Sequence, residues 1–332
     1  MTSTTTRTIP VQRSNFSAIG EQYGLLILLI GIVIFFTVLP ASAATFFTPA
    51  NLSVVLANQS VVMVCAIAVM LPLITGNFDF SIGANAMAAA MVCAAAQAHL
   101  HLPVFLAILF AVAFGTLVGL LNGWLVAIVQ LDAFITTLGI ATVLAGLIEW
   151  YSGGLPIYGI DPAMIAFGST TWLGLPQVLF VVIVVAIIAW YALTWTPFGR
   201  RLYALGSNRR AANLVGVNTT GLTLASFVLA GMLAGIAGVL LSARTGGANP
   251  GGGTELLFPA LAAVFLGATA IRPGRFNVVG TLIGVLFVAV SVSGLTLAGS
   301  QSWVDDVFNG VALVIAVFVS TYLRRRREGK GR

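Results

Sequence analysis

Residues 175–201 read LPQVLFVVIVVAIIAWYALTWTPFGRR. From Leu175 to Trp195 no side chain carries a charge. A run of about 18 or more apolar residues is long enough to cross a hydrocarbon core as a helix. Pro197 then ends the run, because proline cannot continue the helical hydrogen-bond ladder, and Arg200 and Arg201 mark the side on which it ends. Lipid offers a backbone no hydrogen-bond partners, so a spanning segment must satisfy its own as a helix or in a closed barrel. Long alternating strands with polar lumen positions are absent, which excludes the barrel.

Working outward, the same reading gives about ten spans, near 22–40, 52–75, 81–98, 103–129, 133–151, 175–195, 221–243, 255–271, 277–298 and 304–322. The composition agrees: 59% of the 332 residues are hydrophobic and only 7% charged, against about 25% charged in a soluble domain. The chain is therefore expected to be an all-α polytopic membrane protein. The net charge of +6 reads as topology and not as a nucleic-acid surface. With the N-terminus inside and the spans alternating, 14 of the 15 lysines and arginines fall on the inner side. They are Arg7 and Arg13, the group Arg200, Arg201, Arg209 and Arg210, then Arg272 and Arg275, and finally Arg324 to Arg327, Lys330 and Arg332. Only Arg244 lies outside, as the positive-inside rule requires. Ala41-Ser42-Ala43 has the form of a signal-peptidase site, but the polar leader before it is long, and the first run reads as a retained helix.

The expected organisation is a tail at 1–21, a membrane domain at 22–323 with an inner loop at 196–220, and a basic tail at 324–332, both tails cytoplasmic. No phosphate-binding loop of the form G-x-x-x-x-G-K-[ST] occurs, so ATP hydrolysis would have to come from another chain. Gly115-Thr116-Leu117-Val118-Gly119 echoes Gly280-Thr281-Leu282-Ile283-Gly284 at an offset of five spans, which hints at an inverted repeat. Glycines spaced by four, as in Gly231 and Gly235, favour close helix packing in lipid. Cys65 and Cys93 sit in apolar runs and read as small packing residues. His99 and His101 have no acidic or thiol neighbours, so no metal site is expected.

In the inner loop, Asn208 can cap a short helix that Gly216 ends. Thr196-Pro197-Phe198-Gly199-Arg200-Arg201-Leu202-Tyr203-Ala204-Leu205-Gly206-Ser207-Asn208, then Ala211-Ala212 and Gly216-Val217, resembles the ribose-type permeases of bacterial ABC importers. Gly76-Asn77-Phe78-Asp79-Phe80-Ser81-Ile82-Gly83, Phe134-Ile135-Thr136-Thr137-Leu138-Gly139, Ala230 to Gly238 and Glu255 to Gly284 are similar to that family in the same order. The departures are Asn77 in place of a glycine, the Phe258-Pro259 region, and Arg272-Pro273 where a small turn is usual.

The resemblance implies a permease subunit that moves a monosaccharide or related polyol from periplasm to cytoplasm in the bacterial inner membrane. It implies a second permease copy, a periplasmic sugar-binding protein and a cytoplasmic ATPase that carries the ATP and magnesium. Docking of that ATPase would fall on Gly199, Arg200, Arg201, Asn208, Arg209, Arg210, Ala211, Ala212 and Gly216. The arginines also suit lipid phosphates. Outer segments 152–174 and 244–254 read as loops that would meet the binding protein.

Polar residues within spans are costly and often functional. Asn58, Gln59, Asn122, Thr136 and Thr137 are the candidates for the solute path, with interhelical hydrogen bonding as the plain alternative. Asp79 and Ser81, at the inner start of the third span, read as a helix cap or inner gate. An ion-coupled secondary transporter is the competing class. It needs an ionisable group within the membrane, whereas the acids here fall near span ends.

Overall fold

The computed structural model describes residues 15–251 and 253–328, and the side chains of residues 22–251 and 253–322. In chain order the helices are α1 (Asn15–Val38), α2 (Pro49–Ile74), α3 (Ile82–Ala98), α4 (Val104–Ala127), α5 (Ala133–Ser152), α6 (Pro162–Ser169), α7 (Gln177–Trp195), α8 (Pro197–Ser207), α9 (Arg209–Leu214), α10 (Thr219–Thr245), α11 (Gly253–Gly267), α12 (Val278–Leu297) and α13 (Trp303–Glu328). Each of the ten expected spans coincides with one helix. Seven helices are long and apolar enough to cross a membrane alone: α2, α4, α5, α7, α10, α12 and residues 303–322 of α13. The described part of α1 and the whole of α3 and α11 are shorter. Helix α13 continues past the expected span end to Glu328, and α1 starts earlier than expected, at Asn15. Residues 1–14 and 329–332, with the basic residues expected there, lie outside the described residues.

The echo between Gly115 and Gly280 extends to the packing. Helices α2–α5 and α10–α13 repeat one arrangement. α3 lies against α4 and α5 as α11 lies against α12 and α13, while α3 and α4 pack on α10 as α11 and α12 pack on α2. This exchange of partners is what an inverted repeat requires. Glycine makes it compact. A methyl group added at Gly115 would sit 2.6 Å from the Gly231 carbonyl oxygen, and one at Gly119 would overlap the Phe227 carbonyl. On the other side of the repeat, Gly280 meets Gly267 and Gly284 meets Ala263 equally closely. In lipid such backbone contact supplies the packing energy that water would otherwise drive.

Four two-residue strands, β1 (Ile157–Tyr158), β2 (Thr171–Trp172), β3 (Leu175–Pro176) and β4 (Gly247–Ala248), lie in or beside the two segments read above as outer loops. β1 pairs with β4 and β2 with β3, both antiparallel. The two outer segments read as loops are therefore joined to each other. Arg244 reinforces the junction, donating to the Gly168 carbonyl at 2.7 Å and to Asn58 Oδ1 at 2.6 Å.

Replacing Gly119 or Gly231 with leucine should cost about 2 kcal/mol or more through overpacking, visible as a lower thermal midpoint of the purified chain in detergent. Gly139→Leu, at a position with open space around the missing side chain, should leave the midpoint unchanged.

Candidate translocation site and coupling surface

Helices α3 and α11 are short apolar members of the bundle. At 1.5 Å per residue, the 17 residues of α3 rise about 25 Å and the 15 of α11 about 22 Å. The two run in opposite directions, yet their starts touch: a side chain at Gly83 would overlap the Gly253 carbonyl. Two helix N-termini, each with a partial positive charge and unpaired N–H groups, thus converge at the interface of the repeats. Helix N-termini at a repeat interface form solute sites in transporters.

A cavity of about 400 Å³ opens where they meet, between α3, α5 and the start of α11. Thr142 and Thr254 supply hydroxyls, Pro250, Gly251 and Gly253 supply backbone, and Phe80 and Phe258 supply aromatic faces. No charged side chain lines it among the described residues. Phe80 belongs to an aromatic layer beneath the cavity: Phe134 packs edge-on against it at 5.0 Å, Phe78 lies 6.0 Å away on its other side, and Phe265 continues the row.

The turn carrying Phe80 is pinned from three sides. Asp79 Oδ1 accepts the Ser81 N–H at 2.9 Å and the Ser81 hydroxyl at 2.6 Å. Asn122 of α4 donates to Ser81 Oγ at 2.7 Å. The Phe80 N–H donates to Thr137 Oγ1 of α5 at 2.9 Å, and Thr137 in turn donates to the Ala133 carbonyl at 2.8 Å.

Below this turn lies α8, which the sequence reading did not separate from the loop. Thr196 caps it, accepting from the Gly199 N–H. Gly199, Leu202 and Leu205 are buried, while Arg200, Arg201, Ala204 and Ser207 face outward. Gly206 presses on the Ile74 carbonyl at the end of α2 so closely that no side chain fits there. Only residues 75–78 separate that contact from Asp79. Helix α9 follows, capped by Asn208 through the Ala211 N–H at 3.0 Å and ended at Gly216 with φ +79°. Its one buried residue is Ala212; Arg209, Arg210 and Ala211 are exposed. Leu214 and Val215 are 88% and 78% exposed. Sequence reasoning gave this short helix a mixed apolar and basic character but did not single out the two aliphatic residues, which follow Arg209-Arg210 after Ala211, Ala212 and Asn213.

The expected path residues separate into two groups. Asn122 and Thr137 are fully buried and held in the Asp79 network, so they fix the turn and do not face the cavity. Asn58 is exposed and bound to Arg244, and Gln59 and Thr136 are half-buried outside the cavity lining. The cavity instead uses Thr142, Thr254 and Phe258, which the sequence analysis left out. Asp79 forms a turn one step ahead of the α3 cap, which is Ser81. It is 3% exposed, a buried acid in the turn between the end of α2 at Ile74 and the start of α3 at Ile82. Among the described residues no cluster of histidine, cysteine and acid could hold a metal.

A multi-pass helical bundle with two similarly packed halves, and a cavity where two short helices begin, has the architecture of a membrane transport permease. Residues 51–317 match the family described as branched-chain amino acid transport system / permease component, and the chain belongs to it. It is 34% identical to the ribose import permease protein of Escherichia coli K12 over 95% of this chain and 98% of that one. It is 33% identical to a probable ABC transporter permease protein of the same organism over 90% of each chain. It is 29% identical to the D-allose transport system permease protein, also of Escherichia coli K12, over 91% of this chain and 92% of that one. No solved structure is a significant match.

Asp79→Ala strands the Ser81 hydroxyl and N–H away from water, at a cost of about 1–3 kcal/mol. Asp79→Asn keeps an acceptor oxygen and should recover most of that stability. Thermal unfolding of the two variants side by side checks the order.

Proposed function

We propose that the chain is the membrane-spanning subunit of an ABC importer that carries a monosaccharide inward, without an ATPase site of its own. The observation that carries this reading is the short connection between α8 and the turn under the cavity. A push on α9 and α8 reaches Ile74 through Gly206, then the Asp79 turn, then the Phe80 layer that floors the cavity. Power supplied from below thus acts directly on the inner closure.

The contents of the cavity fit a sugar. Neutral hydroxyls and backbone groups suit hydroxyls on the solute, and aromatic faces suit the C–H faces of a ring. Relatives named for ribose and for D-allose lie at similar identity, which leaves the particular sugar to a periplasmic binding protein docking on the joined outer segments. A homodimer, with a second copy of the chain, is the assembly that the family resemblance implies.

Both termini and the α8–α9 surface are assigned to the cytoplasm, on the placement of the arginines. The docking surface for the ATPase comprises Gly199, Arg200, Arg201, Asn208, Arg209, Arg210, Ala211, Ala212 and Gly216, to which Leu214 and Val215 are added as the apolar centre. Their exposure leaves apolar surface that a partner would cover.

Leu214→Glu with Val215→Glu should lower ATPase co-purification by about tenfold or more, the effect of losing an interface hot spot. Arg200, Arg209 and Arg210 replaced together by alanine should lower it too, with membrane insertion intact. Thr142→Trp, which fills the cavity, should stop sugar uptake while leaving co-purification at its normal level. Uptake by the Leu214–Val215 variant at the normal rate would contradict the docking assignment.

A further inference from the structure

A second polar cavity, of about 380 Å³, lies between α8 and the connector from α11 to α12. Arg200, Arg272 and Arg275 all line it, and no carboxylate does among the described residues. The connector that presents two of these arginines is fixed. Asn277 Nδ2 donates to the Ala270 carbonyl at 3.2 Å and to the Arg275 carbonyl at 3.1 Å. Tyr203 of α8 donates to the Phe276 carbonyl at 2.7 Å, and the Ile271 N–H donates to the Gln22 carbonyl of α1 at 2.9 Å. Burial raises the Tyr203 hydroxyl above its ordinary range, and the charges of Arg272 and Arg275 oppose that rise.

This cavity continues into a narrower one of about 70 Å³. The two share Leu193, Thr194, Tyr203 and Arg272. The narrow limb ends at Trp190 and Val279, which are 41% and 42% exposed on the apolar face of the bundle. The groove thus has a basic head at the inner surface and an apolar tail open to the hydrocarbon. Guanidinium groups suit phosphate through paired N–H donors, and basic pockets between helices on the cytoplasmic side take acidic lipid headgroups.

We propose that this groove is a binding site for one acidic phospholipid, its phosphate held by Arg272, Arg275 and Arg200 and an acyl chain lying along Trp190 and Val279. A free phosphate would use the head and ignore the tail, and a soluble protein would not reach the hydrocarbon-facing limb. The bound headgroup joins α8 to the α11–α12 connector and so restrains the helix that leads to the Asp79 turn. The site rests on the membrane placement of the bundle; Arg200 is shared with the proposed docking surface, whereas Arg272 and Arg275, on which the test depends, are not.

Native mass spectrometry of the full chain, purified in detergent and titrated with phosphatidylglycerol or phosphatidylcholine, tests this without any ATPase present. The expected result is one retained phosphatidylglycerol per chain, preferred over phosphatidylcholine by about tenfold or more, given the gain per basic residue near an anionic headgroup. Arg272→Gln with Arg275→Gln should abolish the preference, Arg272→Lys with Arg275→Lys should keep part of it, and both variants should elute as the unmodified chain does. Millimolar inorganic phosphate should not displace the lipid. Equal retention of the two lipids, an unchanged preference in the glutamine variant, or displacement by phosphate alone would each overturn the proposal.

Discussion

The backbone of Gly83 lies against the carbonyl of Gly253, and the arrangement of the bundle depends on that contact. Because the two starts touch, a bilayer around the apolar helices would hold both at one depth. The segments leading to them would then enter the membrane without helical hydrogen bonds, which lipid does not tolerate. Each is sheltered by protein. On one side residues 75–81 are tied to Asp79, Asn122 and Thr137. On the other, residues 247–248 pair with residues 157–158. Glycine at both meeting points lets the two helix starts approach, and the cavity lies beside that contact.

That geometry also sets how force would travel. The Asp79 turn stands between the cavity floor and the α2 terminus on which α8 rests. A packed interior shifts between discrete arrangements and does not deform smoothly. A movement of α8 would therefore carry the Phe80 layer as a unit. The same aromatic row passes through Phe265 to Phe276, 5.5 Å apart, and Phe276 accepts the Tyr203 hydroxyl. The inner closure and the basic groove thus share one scaffold.

Much of this was legible in the residues. Apolar runs bounded by Pro, Gly and Arg located all ten spans, and Asn208 and Gly216 located α9, because caps and lipid constraints act locally. The echo at Gly115 and Gly280 pointed to an exchange of packing partners that the helices display. What was not legible depends on distant contacts. Nothing near residue 82 or 253 announces that the two helix starts meet; each is placed by the other helix. Asn122 and Thr137 read as path residues because their partners, Ser81 and Phe80, lie 41 and 57 positions away. Helix α8 was hidden by its arginines, since its buried face of Gly199, Leu202 and Leu205 is visible only once α7 and α2 pack above it.

The central claim is that a solute passes through the space where α3 and α11 begin. The most direct measurement is the reaction of a membrane-impermeant thiol reagent with Thr254→Cys in cells, the native Cys65 and Cys93 being buried and silent. The account predicts rapid modification from the outer side, slowed by the transported sugar and accompanied by loss of uptake, while Ile187→Cys on the lipid face of α7 stays unmodified. A Thr254→Cys variant as inert as Ile187→Cys, or one modified with uptake unchanged, would contradict it.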